Sequence, residues 1–230
     1  NTKYAEHRHK HITLQRICSR KCYNIIKLRK DKTMELFDSH CHLDDEKFNQ
    51  DREEIITHIF SSGVTKLISA GYSVASSKRA LELSLTYPQI YTVSGISPND
   101  ILENVEKIDA QINEIKNLAQ NKKVVGIGEI GLDYYWNREN KELQKYAFIK
   151  QIELANKLNL PIVIHTREAV MDTLEILKKH PVNKKGVFHC CPLNHELIKE
   201  ALKLGYYISF AGPITFKNSK NADEVINIVP

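Results

Sequence analysis

The run Phe37-Asp38-Ser39-His40-Cys41-His42 places two imidazoles two residues apart. On a strand, side chains alternate faces, so His40 and His42 point one way and Cys41 the other. Two neutral imidazoles side by side make half of a transition-metal site. The spacing alone is weak, because His7, His9 and His11 repeat it where a solvated polar tail is the ordinary reading. Three more ligand-type residues strengthen it. Glu129 follows Val125-Gly126-Ile127-Gly128, His165 follows Pro161-Ile162-Val163-Ile164, and His189 follows Gly186-Val187-Phe188. A single histidine after an apolar run is more often a hydrogen-bonded structural residue. Four histidines and a glutamate at corresponding ends of four strands point instead to one shared metal site. His58, His180 and His195 fall within or beside helical patterns and read as surface residues.

Those five residues converge only if the elements carrying them lie in parallel. The pattern predicts strands over 36–38, 66–70, 90–95, 124–128, 162–165, 186–189 and 206–210. Helices are predicted over 51–62, 75–87, 105–120, 140–158, 170–179 and 196–204, with a seventh over 219–228. Regular alternation of short apolar runs with amphipathic segments predicts a parallel sheet covered by helices. No glycine-rich phosphate loop follows any strand, which disfavours a doubly wound open sheet. The expected fold is therefore α/β, a TIM-type (β/α)8 barrel with the last strand and its helix absent from this chain. In such a barrel the C-terminal strand ends share one mouth, where active sites lie.

Composition is that of an ordinary globular protein, at 42% hydrophobic and 27% charged residues. Charge is unevenly placed. Residues 1–33 carry a net +8 while the whole chain carries +5, which leaves −3 for residues 34–230. Basicity therefore gives no argument for nucleic acid in the main domain. Residues 1–33 lack apolar periodicity and read as a basic, disordered leader, with a transit peptide or nucleic-acid-binding arm as alternatives. The domain is placed at 34–230, since Met34 stands directly before the first strand. No apolar run approaches the roughly 20 residues of a membrane span, so no membrane association is expected. The five cysteines include adjacent Cys190 and Cys191, a poor disulfide framework that suggests a reducing compartment. Cys18 and Cys22 have no partner pair at metal-binding spacing and read as ordinary thiols.

The motifs FDSHCHLDD, GIGEIGLDYYW, PIVIHTRE, GVFHC and YYISFAGPITFKN, taken in order from Met34 to Pro230, closely resemble the TatD family of metal-dependent deoxyribonucleases. The resemblance implies two divalent ions (Mg²⁺, Mn²⁺ or Zn²⁺). His40, His42 and Glu129 would hold one, Glu129, His165 and His189 the other, with Glu129 bridging. It also implies DNA as the substrate partner and 3′–5′ exonuclease trimming by a metal-bound hydroxide, with Glu129 and His165 as catalytic residues. Arg167, two residues past His165, would face the same cavity as a phosphate clamp, a rim salt bridge being its alternative. Asp133 and the Tyr134-Tyr135-Trp136 cluster would line the groove and stack bases, with core or rim packing equally open. A monomer without an obligate protein partner is expected, cytoplasmic in the first instance and otherwise nuclear, organellar or secreted.

Three departures from the family pattern stand out. The family places an aspartate in a Glu-Thr-Asp motif on the eighth strand, and no residue here corresponds to it, so an incomplete sequence is expected. After the third strand the chain reads Gly95-Ile96-Ser97-Pro98, with Ser97 where the family has histidine. Ser97 can still hydrogen-bond a phosphate but cannot act as an imidazole. After His189 comes Cys190-Cys191-Pro192 in place of an aromatic, Ser and Gly. Rival functions are another ester hydrolase, such as an aminoacyl-tRNA deacylase, and a catalytically inactive nucleic-acid-binding barrel.

Overall fold

The computed structural model describes residues 36–219 and 221–230, so the expectations for the basic leader, its histidines and its two cysteines lie outside the described residues. Seven strands form one sheet: β1 (Leu36–Cys41), β2 (Val64–Ala70), β3 (Ile90–Ser94), β4 (Val124–Asp133), β5 (Ile162–Arg167), β6 (Gly186–Phe188) and β7 (Tyr207–Ile208). Each pairs in parallel with the next in sequence. Parallel neighbours need a long crossover, and helices supply it. These are α1 (Arg52–Ser61), α2 (Val74–Thr86), α3 (Val105–Leu118), α4 (Lys141–Leu158), α5 (Val170–Lys179) and α6 (His195–Lys203), with α7 (Ala222–Ile226) after β7. This is the expected TIM-type (β/α) arrangement, with no eighth strand among the described residues.

Local chemistry starts several helices where the pattern placed them. The side chains of Ser73, Asn104 and Asn194 accept from the backbone N–H of Ser76, Lys107 and Leu197, capping α2, α3 and α6. Asn159, at φ 54°, ends α4 in the left-handed conformation that asparagine tolerates. The main core lies between sheet and helices, around the fully buried Ile127, Ile130, Leu132, Phe148, Ile152 and Phe188.

One expectation is corrected. The fourth strand was placed at 124–128, with Glu129 at its end, but β4 runs on to Asp133 and Glu129 lies mid-strand. The interruption is a bulge: Ile127 pairs with Ile162 and Ile130 with Ile164, so β4 spends one residue more than β5 around Glu129. Among the other irregularities of the sheet, one lies between Asp38 and Cys41 on β1, the span that includes His40. Bulges re-aim side chains, and here both occur at residues of the expected site. Just beyond, Gly131 has φ 142°, and a Cβ there would lie 2.0 Å from the His165 carbonyl oxygen. Only glycine allows β4 to lie that close to β5.

Two buried glutamines on α4 hold the strand ends that lead into the site. Gln151 Oε1 accepts from Ile96 N–H at 2.8 Å while its Nε2 donates to Ile96 O at 3.0 Å, ahead of Ser97. Two turns earlier, Gln144 Oε1 accepts from Asp133 N–H at 2.8 Å and Nε2 donates to Asp133 O at 3.1 Å. Each amide thus satisfies both backbone groups of one buried residue. Gln151→Leu leaves the Ile96 N–H and C=O without partners and should destabilise the domain by about 3 kcal/mol. Urea unfolding of the variant beside the native chain measures this, and an unchanged midpoint would refute it.

Candidate active site

The four histidines and Glu129 meet at one mouth of the sheet, with His40 and His42 at the end of β1, Glu129 at the bulge midway along β4, His165 in the second half of β5 and His189 just past β6. Glu129 is 7% exposed. The Nε2 atoms of His40, His42 and His189 approach its Oε1 at 2.5, 3.2 and 3.4 Å. His40 on β1 and His42 just past its end both turn to Glu129, and Cys41 between them turns its Sγ to Ile68 O. Two groups of three have ligand atoms all within 4.8 Å of one another: His40, His42 and Glu129, and Glu129, His165 and His189. Glu129 is common to both. The His40 and His189 rings stack at 4.1 Å and 13°, which joins the two groups into one cluster.

The ring orientations suit metal ligation. His42 Nδ1 donates to Ala70 O at 2.8 Å, so in the neutral ring the Nε2 lone pair faces Glu129. His165 Nε2 lies 3.0 Å from Asp133 Oδ2, which likewise leaves Nδ1 unprotonated, 3.3 Å from His189 Nε2. Burial drives the His189 pKa down to about 3 against the attraction of Glu129, so its imidazole is neutral. For Glu129, burial pushes the pKa up, but contacts with His40 and His42 and the charge of the cluster bring it well below the usual carboxylate range. Glu129 Oε1 and His40 Nδ1 are buried without a well-formed hydrogen bond. Three nitrogens crowding one carboxylate oxygen without hydrogen-bond geometry make a donor set that fits a divalent cation. The thiols offer no competing nucleophile, since burial raises Cys190 and pushes Cys191 up to about 12.

Asp133 was expected only to line the groove. Its carboxylate is 1% exposed and organises the mouth. Oδ2 takes His165 and Asn99 Nδ2, the latter at 3.2 Å, while Oδ1 accepts the backbone N–H groups of Tyr135 and Trp136 at 3.0 and 3.1 Å. A sequence signal existed: Asp133 follows Glu129 by an even number of residues, which keeps both on one strand face. Arg167 makes no ion pair among the described residues. Its guanidinium lies over the Tyr135 ring at 3.7 Å, where a rim salt bridge was the alternative expected. Ser97 is buried, and its hydroxyl donates to Asp100 Oδ2 at 2.5 Å, so its proton is committed to a carboxylate that sequence reasoning had passed over. His195, outside the cluster, lies 3.5 Å from Glu224.

The model of TatD-related DNases matches residues 37–230. The chain belongs to this family. A metal-dependent hydrolase of Bacillus subtilis (strain 168), YabD, is 39% identical over 196 residues, covering 85% of this chain and 76% of that protein. The 3′–5′ ssDNA/RNA exonuclease TatD of Escherichia fergusonii is 32% identical over 178 residues, covering 77% and 67%. The crystal structure of the TatD homologue YJJV from Escherichia coli K12 superposes with a TM-score of 0.79 at 27% identity, covering 86% of this chain and 76% of that one. This TatD-family chain is thus a metal-dependent hydrolase with histidine and glutamate groups able to hold metal.

Asp133 supplies a test of the mouth. Burial raises its pKa, but His165, the Trp136 N–H and Asn99 together lower it to about 2. A depressed carboxylate pKa stabilises the fold fully above the unfolded value, near 3.9, and that stabilisation is lost as pH falls through about 2. The stability gap between the native chain and Asp133→Asn should therefore be constant at neutral pH and narrow as pH is lowered below about 4. Urea midpoints across that range read it directly, and a gap that widens in acid would contradict the assigned network.

Proposed function

We propose that this chain is a deoxyribonuclease that trims DNA from the 3′ end, acting as a monomer with two divalent ions drawn from Mg²⁺, Mn²⁺ or Zn²⁺. The observation that carries the proposal is the pair of three-residue groups sharing Glu129. One group, His40, His42 and Glu129, would hold the first ion, and Glu129, His165 and His189 the second. Divalent ions held by these residues would supply charge neutralisation and a water of lowered pKa, from about 15.7 to roughly 7. The remaining work falls to the protein. In their neutral forms His42 and His165 would each present an unprotonated ring nitrogen to an ion, because Ala70 O and Asp133 take the proton on the other nitrogen. Glu129 stays ionised and joins the two halves of the site. Arg167, unpaired with any described carboxylate, is available to grip a phosphate oxygen. Ser97 would take a supporting part in phosphate binding through its hydroxyl oxygen, with Asp100 keeping the proton. The Escherichia fergusonii relative's name as an ssDNA/RNA exonuclease supports a nucleic-acid substrate.

Incubation of 3′- and 5′-end-labelled single-stranded DNA with the chain and Mg²⁺ or Mn²⁺ should give progressive shortening from the 3′ end that EDTA stops. Glu129→Gln and His165→Ala should each reduce cleavage to the EDTA background. Full activity in either variant would remove these residues from the site.

A further inference from the structure

The residues following β4 divide in a way that the sequence alone leaves open. Tyr134 turns inward, 6% exposed, with its hydroxyl donating to Asp172 Oδ2 at 2.7 Å and Lys141 over its ring. Tyr135 and Trp136 turn outward, 48% and 68% exposed. Their rings meet edge to face at 4.9 Å and 87°. Arg167 lies across both, 3.7 Å from the Tyr135 ring centre and 5.5 Å from that of Trp136. Neighbouring exposed aromatics of this size cost free energy in water, and two such rings beneath a cation make a surface suited to a flat π-system bearing negative charge.

The position of this surface is not left to a loose loop. Backbone N–H groups of Tyr135 and Trp136 both donate to Asp133 Oδ1, whose other oxygen bonds His165 Nε2. Asp133 and Arg167 are paired across β4 and β5. The aromatic pair and a residue of the metal cluster are therefore fixed to one another through a single buried carboxylate, and strand pairing with the same residue places the cation beside them. Arg167 follows the cluster residue His165 by two residues on β5. The surface is thus continuous with the metal cluster.

We propose that Tyr135, Trp136 and Arg167 form a nucleobase subsite of the active site, in which an unpaired base stacks on the exposed aromatic face while Arg167 holds an adjoining phosphate. The choice of single-stranded nucleic acid rests on the nuclease assignment. The stacking geometry itself does not. Base stacking on aromatic side chains tolerates any base, so the subsite recognises strand state and chain end rather than sequence. A base inside a duplex has no free face to offer, which gives the site a preference for unpaired ends.

Trp136 is the only tryptophan in the sequence, so its emission reports this surface directly. The full chain in EDTA is titrated with a thymidine tetranucleotide, and with an abasic sugar-phosphate tetramer of the same charge. The thymidine tetramer should quench Trp136 saturably, the abasic tetramer should require at least about tenfold higher concentration, and Tyr135→Leu should weaken the thymidine tetramer by a similar factor. Unchanged emission, or equal quenching by both tetramers, would overturn the subsite. Parallel cleavage assays with metal separate this from the parent assignment. Cleavage without quenching refutes the subsite and leaves the nuclease. Quenching without cleavage supports the subsite and refutes the nuclease.

Discussion

Glu129 sets the terms for everything around it. A carboxylate buried to this degree is costly unless opposite charge or hydrogen-bond donors compensate it. The protein supplies three imidazole nitrogens from strands far apart in sequence. None closes a well-formed hydrogen bond on Oε1. The arrangement is therefore poor as a purely structural network and well suited to sharing a cation, whose charge would relieve both the buried carboxylate and the crowding of the rings. Register shifts in β1 and β4 fall beside His40 and Glu129, where a bulge re-aims a side chain.

Around that centre the support is graded by burial. Ala70 O and Asp133 select the ring nitrogens that face inward. Behind Asp133, Gln144 satisfies the strand's own backbone, and Gln151 does the same for the strand end beside Ser97. Both glutamines come from α4, so one helix sets the height of two neighbouring loops over the sheet. The mouth is positioned by rigid elements and by buried amides rather than by long surface side chains, as a site that must hold ligand atoms to a fraction of an ångström requires.

The architecture and the five clustered residues were legible because each leaves a signal in linear order. Apolar runs alternate with amphipathic segments, and a polar residue closes each run that matters. All seven strands and seven helices were located this way, with differences confined mostly to their ends. What escaped was carried by exceptions to those periods. A bulge hides the continuation of β4, since the alternation that marks a strand breaks at the extra residue. Gln144 and Gln151 sit on the apolar stripe of α4, where a polar residue looks like noise until its backbone partners are seen. The division of Tyr134 from Tyr135 and Trp136 depends on Asp172 and Lys141, whose proximity arises only in three dimensions. Ser97 was visible as a departure, but its commitment to Asp100 was not.

Gly131 adds something that the catalogue of ligands omits. Its lack of a side chain is what allows the His165 carbonyl to come in beside β4, two residues from Glu129. The metal cluster is thus defined partly by missing atoms. The genetic footprint of such a site is wider than its chemistry, because a position that touches neither metal nor substrate is as constrained as one that does. Diversifying this barrel for new substrates would have room in the outward rings of the mouth, and almost none at Gly131 beneath them.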